Sequence, residues 1–270
     1  MTREDEDAPE AAWTEPAGLT TRGTLLIIPG RGEEPALYER FGRRLSADAY
    51  RVRVLHDPTD DATLTLAQVT AQLASPATIG PRVLVGSDTG ALYAVALTAA
   101  GEAGHADALI LAGLPTLSQD TLPQTAPAPA DESPAGAAAS ARTWDEELEI
   151  RTSCPTHRGV LGRSAVRRGA LFGPVPDGWF EQADLSQVKV PVLGIHGAAD
   201  PVSPLASAAE QYRQAPAAQL VSIADGRHDV LNDLTHRTAA ATVVLFLERL
   251  RLGGDLPVIA SHELLEPAGA

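Results

Sequence analysis

The sequence predicts an α/β fold, a mostly parallel sheet with helices on both faces and an inserted lid. Three observations predict it. Short, wholly apolar runs alternate with segments of helical periodicity, as buried parallel strands and their crossover helices do. A glycine-bounded turn, Gly86-Ser87-Asp88-Thr89-Gly90, joins one such run to the next helix. An acid and a histidine then follow two later strands in chain order.

The elements are justified in turn. Residues 1–20 are acidic and rich in Ala and Pro, and are expected to form a flexible arm with a short strand near its end. Thr24-Leu25-Leu26-Ile27-Ile28 is a continuous apolar strand stopped by Pro29-Gly30. Tyr38, Phe41 and Leu45 recur at helical spacing across 35–47. Arg51–Leu55 is the next strand, and a helix carrying Leu64, Leu66, Val69 and Leu73 follows. Val83-Leu84-Val85 leads into the turn at Asp88, and Ala91–Leu97 leaves it as a helix. Ala108–Ala112 is a further buried strand. The alternation stops near Leu114 and resumes at Val190–Ile195, with a helix at 203–214, a strand at 219–224 and a closing helix at 235–252.

The expected division is a core over 21–115 and 186–252, with a lid or insertion over 116–185 and a tail over 253–270. Within the insertion, 116–142 is a low-complexity linker of Pro, Ala, Ser and Gly, and 143–170 reads as helical. Insertions at that place commonly cover a site.

Composition narrows the function. The chain has 270 residues and a net charge of −14, with Lys189 its only lysine. That disfavours nucleic acid and stable membrane association. A single cysteine, Cys154, and an acidic start without an apolar run predict a cytoplasmic protein. No ligand cluster or phosphate-binding glycine loop implies a metal or nucleotide cofactor, so the expected partner is a small-molecule substrate. Oligomeric state is left open.

Three candidates fall at the C-terminal ends of three strands, where open α/β sheets bind ligands. They are Asp88 at the turn, Asp200 in His196-Gly197-Ala198-Ala199-Asp200-Pro201, and His228 in Gly226-Arg227-His228-Asp229. Nucleophile, acid, histidine is the α/β-hydrolase order. The backbone amides of Arg31 and Thr89 are placed to form an oxyanion hole.

On these motifs the chain resembles the lysophospholipase and monoacylglycerol-lipase branch of the α/β-hydrolases, over roughly 20–115 and 185–250. That branch has H-G-x-G-E and then a tyrosine; this chain has Pro29-Gly30-Arg31-Gly32-Glu33 and Tyr38. The branch's elbow serine aligns with Asp88, and its acid and histidine motifs match Asp200 and His228, including Asn232-Asp233. The resemblance implies a lipase-like hydrolase. The two departures, Pro29 and Asp88, sit at the catalytic turn.

An aspartate changes the chemistry expected. A carboxylate is ionised at neutral pH without a base, and attacks an sp³ carbon to give an alkyl-enzyme ester. His228, oriented by Asp200, then activates water against that ester. Similarity to aspartate-elbow enzymes implies epoxide hydrolase or dehalogenase chemistry on a small apolar substrate. A carboxylic-ester or lysophospholipase-like hydrolase is the alternative, and a lyase, a cyclase or a small-molecule-binding protein a further one. Asp88 as a structural carboxylate or inactive remnant also stays open.

No tyrosine lies between Tyr93 and Tyr212 to protonate an epoxide oxygen. Trp144, His157 and Trp179 are therefore the candidate lid contacts to substrate; the tryptophans read more readily as packing and His157 as a surface residue. Ser87 is a weak rival nucleophile, Asp225 and Asp229 are weak rivals to Asp200, His196 reads as a packed strand-end residue, and Cys154 as an ordinary lid residue.

Overall fold

In the computed structural model, residues 9–117 and 142–261 are described. Most of the linker expected at 116–142, the first residues of the arm and the last of the tail lie outside them. The strands are β1 (Ala11–Trp13), β2 (Gly23–Ile28), β3 (Tyr50–Val54), β4 (Arg82–Ser87), β5 (Ala108–Ala112), β6 (Val192–Gly197) and β7 (Ala218–Ile223). The α-helices are α1 (Glu39–Ala47), α2 (Ala62–Ala74), α3 (Thr89–Ala99), α4 (Trp144–Arg151), α5 (Pro155–Arg163), α6 (Trp179–Gln182), α7 (Leu205–Tyr212) and α8 (His236–Leu250).

One sheet runs β1-β3-β2-β4-β5-β6-β7, parallel except for β1, which pairs antiparallel with β3. β2, β4 and β5 are central, with β2 and β5 buried along their whole length. Successive side chains of a strand leave by opposite faces, so each central strand feeds two cores. Leu25, Ile27, Val83, Val85 and Ile110 enter one; Leu26, Ile28, Leu84, Leu109 and Leu111 enter the other. This is why those strands read as unbroken apolar runs rather than alternating ones.

Element limits differ from the sequence expectation where local chemistry intervenes. The helix expected from 35 opens as a 3₁₀ turn, Pro35–Tyr38, before α1. β6 starts at Val192 because Pro191 has no N–H to donate. The short strand expected in the arm is β1, and Glu15 beyond it pairs with Arg51 of β3 at 2.6 Å. Gly42 of α1 lies under the Trp13 ring, where a Cβ would stand 2.1 Å from a ring carbon.

The segment between β5 and β6 packs on both layers. Leu161 and Val166 join the first core; Trp179, Leu185 and Val188 join the second. No helix among the described residues is long and apolar enough to cross a membrane.

Candidate active site

β4 ends at Ser87 and α3 begins at Thr89, so Asp88 alone makes the turn. Its backbone is at φ 46°, ψ −124°, outside the relaxed regions for a residue with a side chain. Such a conformation costs about 1–3 kcal/mol and persists only where the surroundings enforce it. The flanking glycines are part of that enforcement. A Cβ at Gly86 would stand 2.4 Å from Ala91 Cα, and one at Gly90 2.2 Å from the Ile28 carbonyl oxygen. The Asp88 amide donates to the Ala112 carbonyl at 3.0 Å, fixing the turn to β5.

Asp200 follows β6 and His228 follows β7. The two loops touch: a Cβ at Gly197 would stand 2.3 Å from the Gly226 carbonyl oxygen. Asp200 Oδ1 accepts from the amides of Val202 at 2.8 Å and Ser203 at 3.1 Å. Its Oδ2 lies 2.8 Å from His228 Nδ1. His228 Nε2 lies 3.3 Å from Asp88 Oδ1. The three candidates are thus brought together in the order acid–histidine–elbow, with Asp88 2% and His228 3% exposed. Asp200, not Asp225 or Asp229, is the partner of His228.

The loop after β2 supplies a fourth group whose side chain the sequence reading did not use. Arg31 Nε donates to Asp88 Oδ2 at 2.7 Å and Nη2 to Oδ1 at 2.8 Å, a two-pronged ion pair. Arg31 Nη1 donates to the Gly173 carbonyl at 2.6 Å, tying the inserted segment to the site. The Arg31 amide, the expected oxyanion donor, points at Asp88 Oδ2 from 3.3 Å. Gly30 permits this closeness, since a Cβ there would stand 2.8 Å from Asp88 Cβ. Thr89 is fully buried, and its hydroxyl has no hydrogen-bond partner among the described residues. The sequence signal for the pair was partial: an arginine in the loop after the first apolar strand and an aspartate where the resembled branch has a serine, with nothing local to orient the guanidinium.

The electrostatics follow from these contacts. Burial alone would raise the Asp88 carboxyl, but Arg31 and His228 hold it well below the ordinary carboxylate range. Burial opposes ionisation of Asp200 as well, and His228 outweighs it. Burial would lower the His228 imidazole, yet Asp200 and Asp88 push it up to about 10. At neutral pH the site therefore holds two carboxylates, an imidazolium and a guanidinium.

The candidate lid residues each have partners of their own. Trp179 stacks on Tyr93, with ring centroids 4.9 Å apart. Trp144 packs against the first core, with the Arg168 guanidinium 5.1 Å above its ring. His157 is not a surface residue: it is buried, with Nε2 3.1 Å from Asp229 Oδ2. The reason is a second buried charge cluster that the sequence did not reveal. Arg151 reaches Glu147 at 3.0 Å and both Glu33 and Asp229 at 3.4 Å, and Tyr38 donates to Glu33. His196 is buried as expected, with Nε2 2.6 Å from the Ser203 carbonyl. Cys154 is also buried, 3.4 Å from Arg40 Nη1.

The chain has the α/β-hydrolase fold, and solved structures with this fold resemble it over most of its length. A monoacylglycerol lipase from Paleococcus ferrophilus is 14% identical with a TM-score of 0.64, covering 88% of this chain and 96% of that one. An esterase from a Rhodococcus species is 17% identical with a TM-score of 0.63, covering 88% and 94%. A monoglyceride lipase variant from Saccharomyces cerevisiae is 14% identical with a TM-score of 0.58, covering 88% and 90%. No protein-family model and no curated protein matches the chain.

Proposed function

We propose that this protein is a hydrolase in which Asp88 attacks an sp³ carbon of a small alkyl halide or epoxide and is then released by water. The observation that carries the reading is a carboxylate at the tip of a strained elbow, 3.3 Å from the histidine of an acid–histidine pair. A serine needs a base to become a nucleophile; a carboxylate does not.

The second half of the reaction follows from the charges. Once Asp88 is an ester, its negative charge is gone and His228 faces Asp200 alone. The imidazolium loses part of its support, gives up its proton and can accept one from water. The water adds to the Asp88 ester carbonyl. The Arg31 amide, already aimed at Oδ2, and the Thr89 amide would meet the oxyanion that develops there.

Carboxylic-ester hydrolysis is the second reading. It draws on the lipases and esterases that share the fold. Against it, attack of a carboxylate on an ester carbonyl would form a mixed anhydride. A non-hydrolytic role draws on the Arg31 fork, which engages both Asp88 oxygens. A single turnover in oxygen-18 water separates the three. Nucleophilic attack by Asp88 puts label into Asp88 and none into the first product. Label appearing directly in product, or no turnover of any halide, epoxide or ester, rejects the proposal. In His228→Ala the peptide containing Asp88 should carry the trapped ester.

A further inference from the structure

We infer that Arg31 is an anion anchor for the substrate, so that the electrophile attacked by Asp88 carries a carboxylate beside its reacting carbon. The inference rests on Asp88 as nucleophile and adds a substrate class to it.

The argument is one of charge and hydrogen-bond satisfaction. Arg31 is only 7% exposed, and two of its three guanidinium nitrogens donate to Asp88. The third donates to a neutral carbonyl, that of Gly173. Asp57 also acts on Arg31, but its oxygens already accept from the amides of Gly32 and Thr59 and the Thr59 hydroxyl. Esterification of Asp88 therefore strips a buried guanidinium of its carboxylate partner. Leaving such a charge uncompensated is among the most costly changes a protein interior can suffer. A neutral substrate imposes that cost on the intermediate. A substrate carboxylate removes it, because it presents the same planar pair of oxygens to the same fork.

The exchange also frees the nucleophile. In the resting site each Asp88 oxygen accepts a charge-assisted hydrogen bond from Arg31, which holds its electron pairs. When the substrate carboxylate takes the guanidinium, an Asp88 oxygen is released toward the neighbouring carbon. For a 2-halocarboxylate, the new C–O bond forms as the carbon–halogen bond breaks and halide leaves with the electron pair. His228 releases its proton to solvent. Water then adds to the Asp88 ester carbonyl and passes a proton to His228 Nε2. The acyl C–O bond breaks, and the 2-hydroxycarboxylate departs with the Asp88 carboxylate restored. The net change is halide and one proton released for one water consumed.

The test uses 2-chloropropionate against its neutral amide, 2-chloropropionamide, with peptide mapping to read the Asp88 adduct in His228→Ala. The acid should label Asp88 about 10²-fold faster than the amide, the scale expected from one buried charge pair. Equal labelling by the two overturns the anchor and leaves Asp88 as nucleophile. A second measurement is independent of turnover. Asp88→Asn reproduces the uncharged state of the ester, so propionate should raise its melting temperature in a concentration-dependent way. The wild type, in which propionate must first displace Asp88 from the fork, should respond less, and Asp88→Asn carrying Arg31→Gln should not respond. A flat propionate response in a folded Asp88→Asn overturns the anchor. If the propionate response appears but neither probe labels Asp88, the nucleophile reading fails while the anion site stands. If Asp88→Asn does not fold, the labelling ratio alone decides.

Discussion

Two buried charge clusters lie on neighbouring loops of this protein, and they differ in what holds them. The Arg151 cluster joins Glu33 and Asp229 of the core to Arg151, Glu147 and His157 of the inserted segment. Each of its carboxylates is met by a fixed partner on a relaxed helix or loop, and it works as a rivet. The Asp88 cluster is built around a residue at φ 46°. Its members come from the ends of β2, β4, β6 and β7, so four separate strands converge on one strained side chain. Buried charge alone does not mark a reactive site. What sets the Asp88 cluster apart is buried charge on an enforced backbone at the C-terminal edge of a parallel sheet, and on that difference the proposed reactivity rests.

The largest expected effect tests that distinction by chemistry. Asp88→Ala should lower turnover of a reactive electrophile by at least about 10⁴-fold, since members of a catalytic set act as a unit. Arg151→Met should leave the oxygen-18 pattern of turnover unchanged. Its effect belongs to stability. Removing the cation takes the shared guanidinium from Glu33, Glu147 and Asp229, leaving Asp229 with His157, and urea unfolding should show a loss of about 3–5 kcal/mol. An Arg151→Met protein of wild-type stability would break the contrast between the clusters.

Gly90→Ala probes the enforced backbone. Its Cβ would press on the carbonyls of Ile28 and Pro29, at 2.2 and 2.3 Å. Backbone must shift, and a loss of at least about 1–3 kcal/mol is expected in the same assay.

The pH dependence has a definite sign. His228 is raised from its ordinary 6.5 to about 10 by its two carboxylates. Its contribution to stability is complete below pH 6.5 and is lost as pH rises toward 10. Asp88 and Asp200 are depressed below their ordinary 3.8, so their contributions are complete above that value and are lost as pH falls further. The stability difference between wild type and His228→Gln should therefore shrink from pH 6.5 to 10. Nitrogen-15 spectra should show His228 still protonated at pH 8. A neutral imidazole there would sink the four-charge description of the site.

The smallest effect lies on the exposed edge of the inserted segment. Thr143 caps α4 by accepting from the Glu146 amide at 3.3 Å, while Glu146 accepts from the Thr143 amide at 2.7 Å. Thr143→Ala should cost about 1 kcal/mol. Turnover should be untouched, which separates a cap of the segment from its contact with the site.

The strands were legible because each central one is buried on both faces and must be apolar throughout. The glycines of the elbow were legible because close backbone approach admits no side chain. Asp88, Asp200 and His228 could be ranked because each follows a strand in a fixed order. The Arg31 side chain was not assigned, because a guanidinium near an oxyanion loop can turn to solvent as well as inward. His157 and Arg151 were misplaced or missed for a related reason: their partners, Asp229 and Glu33, are 72 and 118 residues away in the chain.

The sequence by itself determined the α/β layering and the order in which Asp88, Asp200 and His228 follow their strands. Those depend on local periodicity and on steric rules that act within a few residues. Only the tertiary structure decided which charges face each other. That choice depends on distances between loops far apart in sequence, and on burial, which strengthens an ion pair such as Arg31–Asp88 at 2.7 Å by removing it from water.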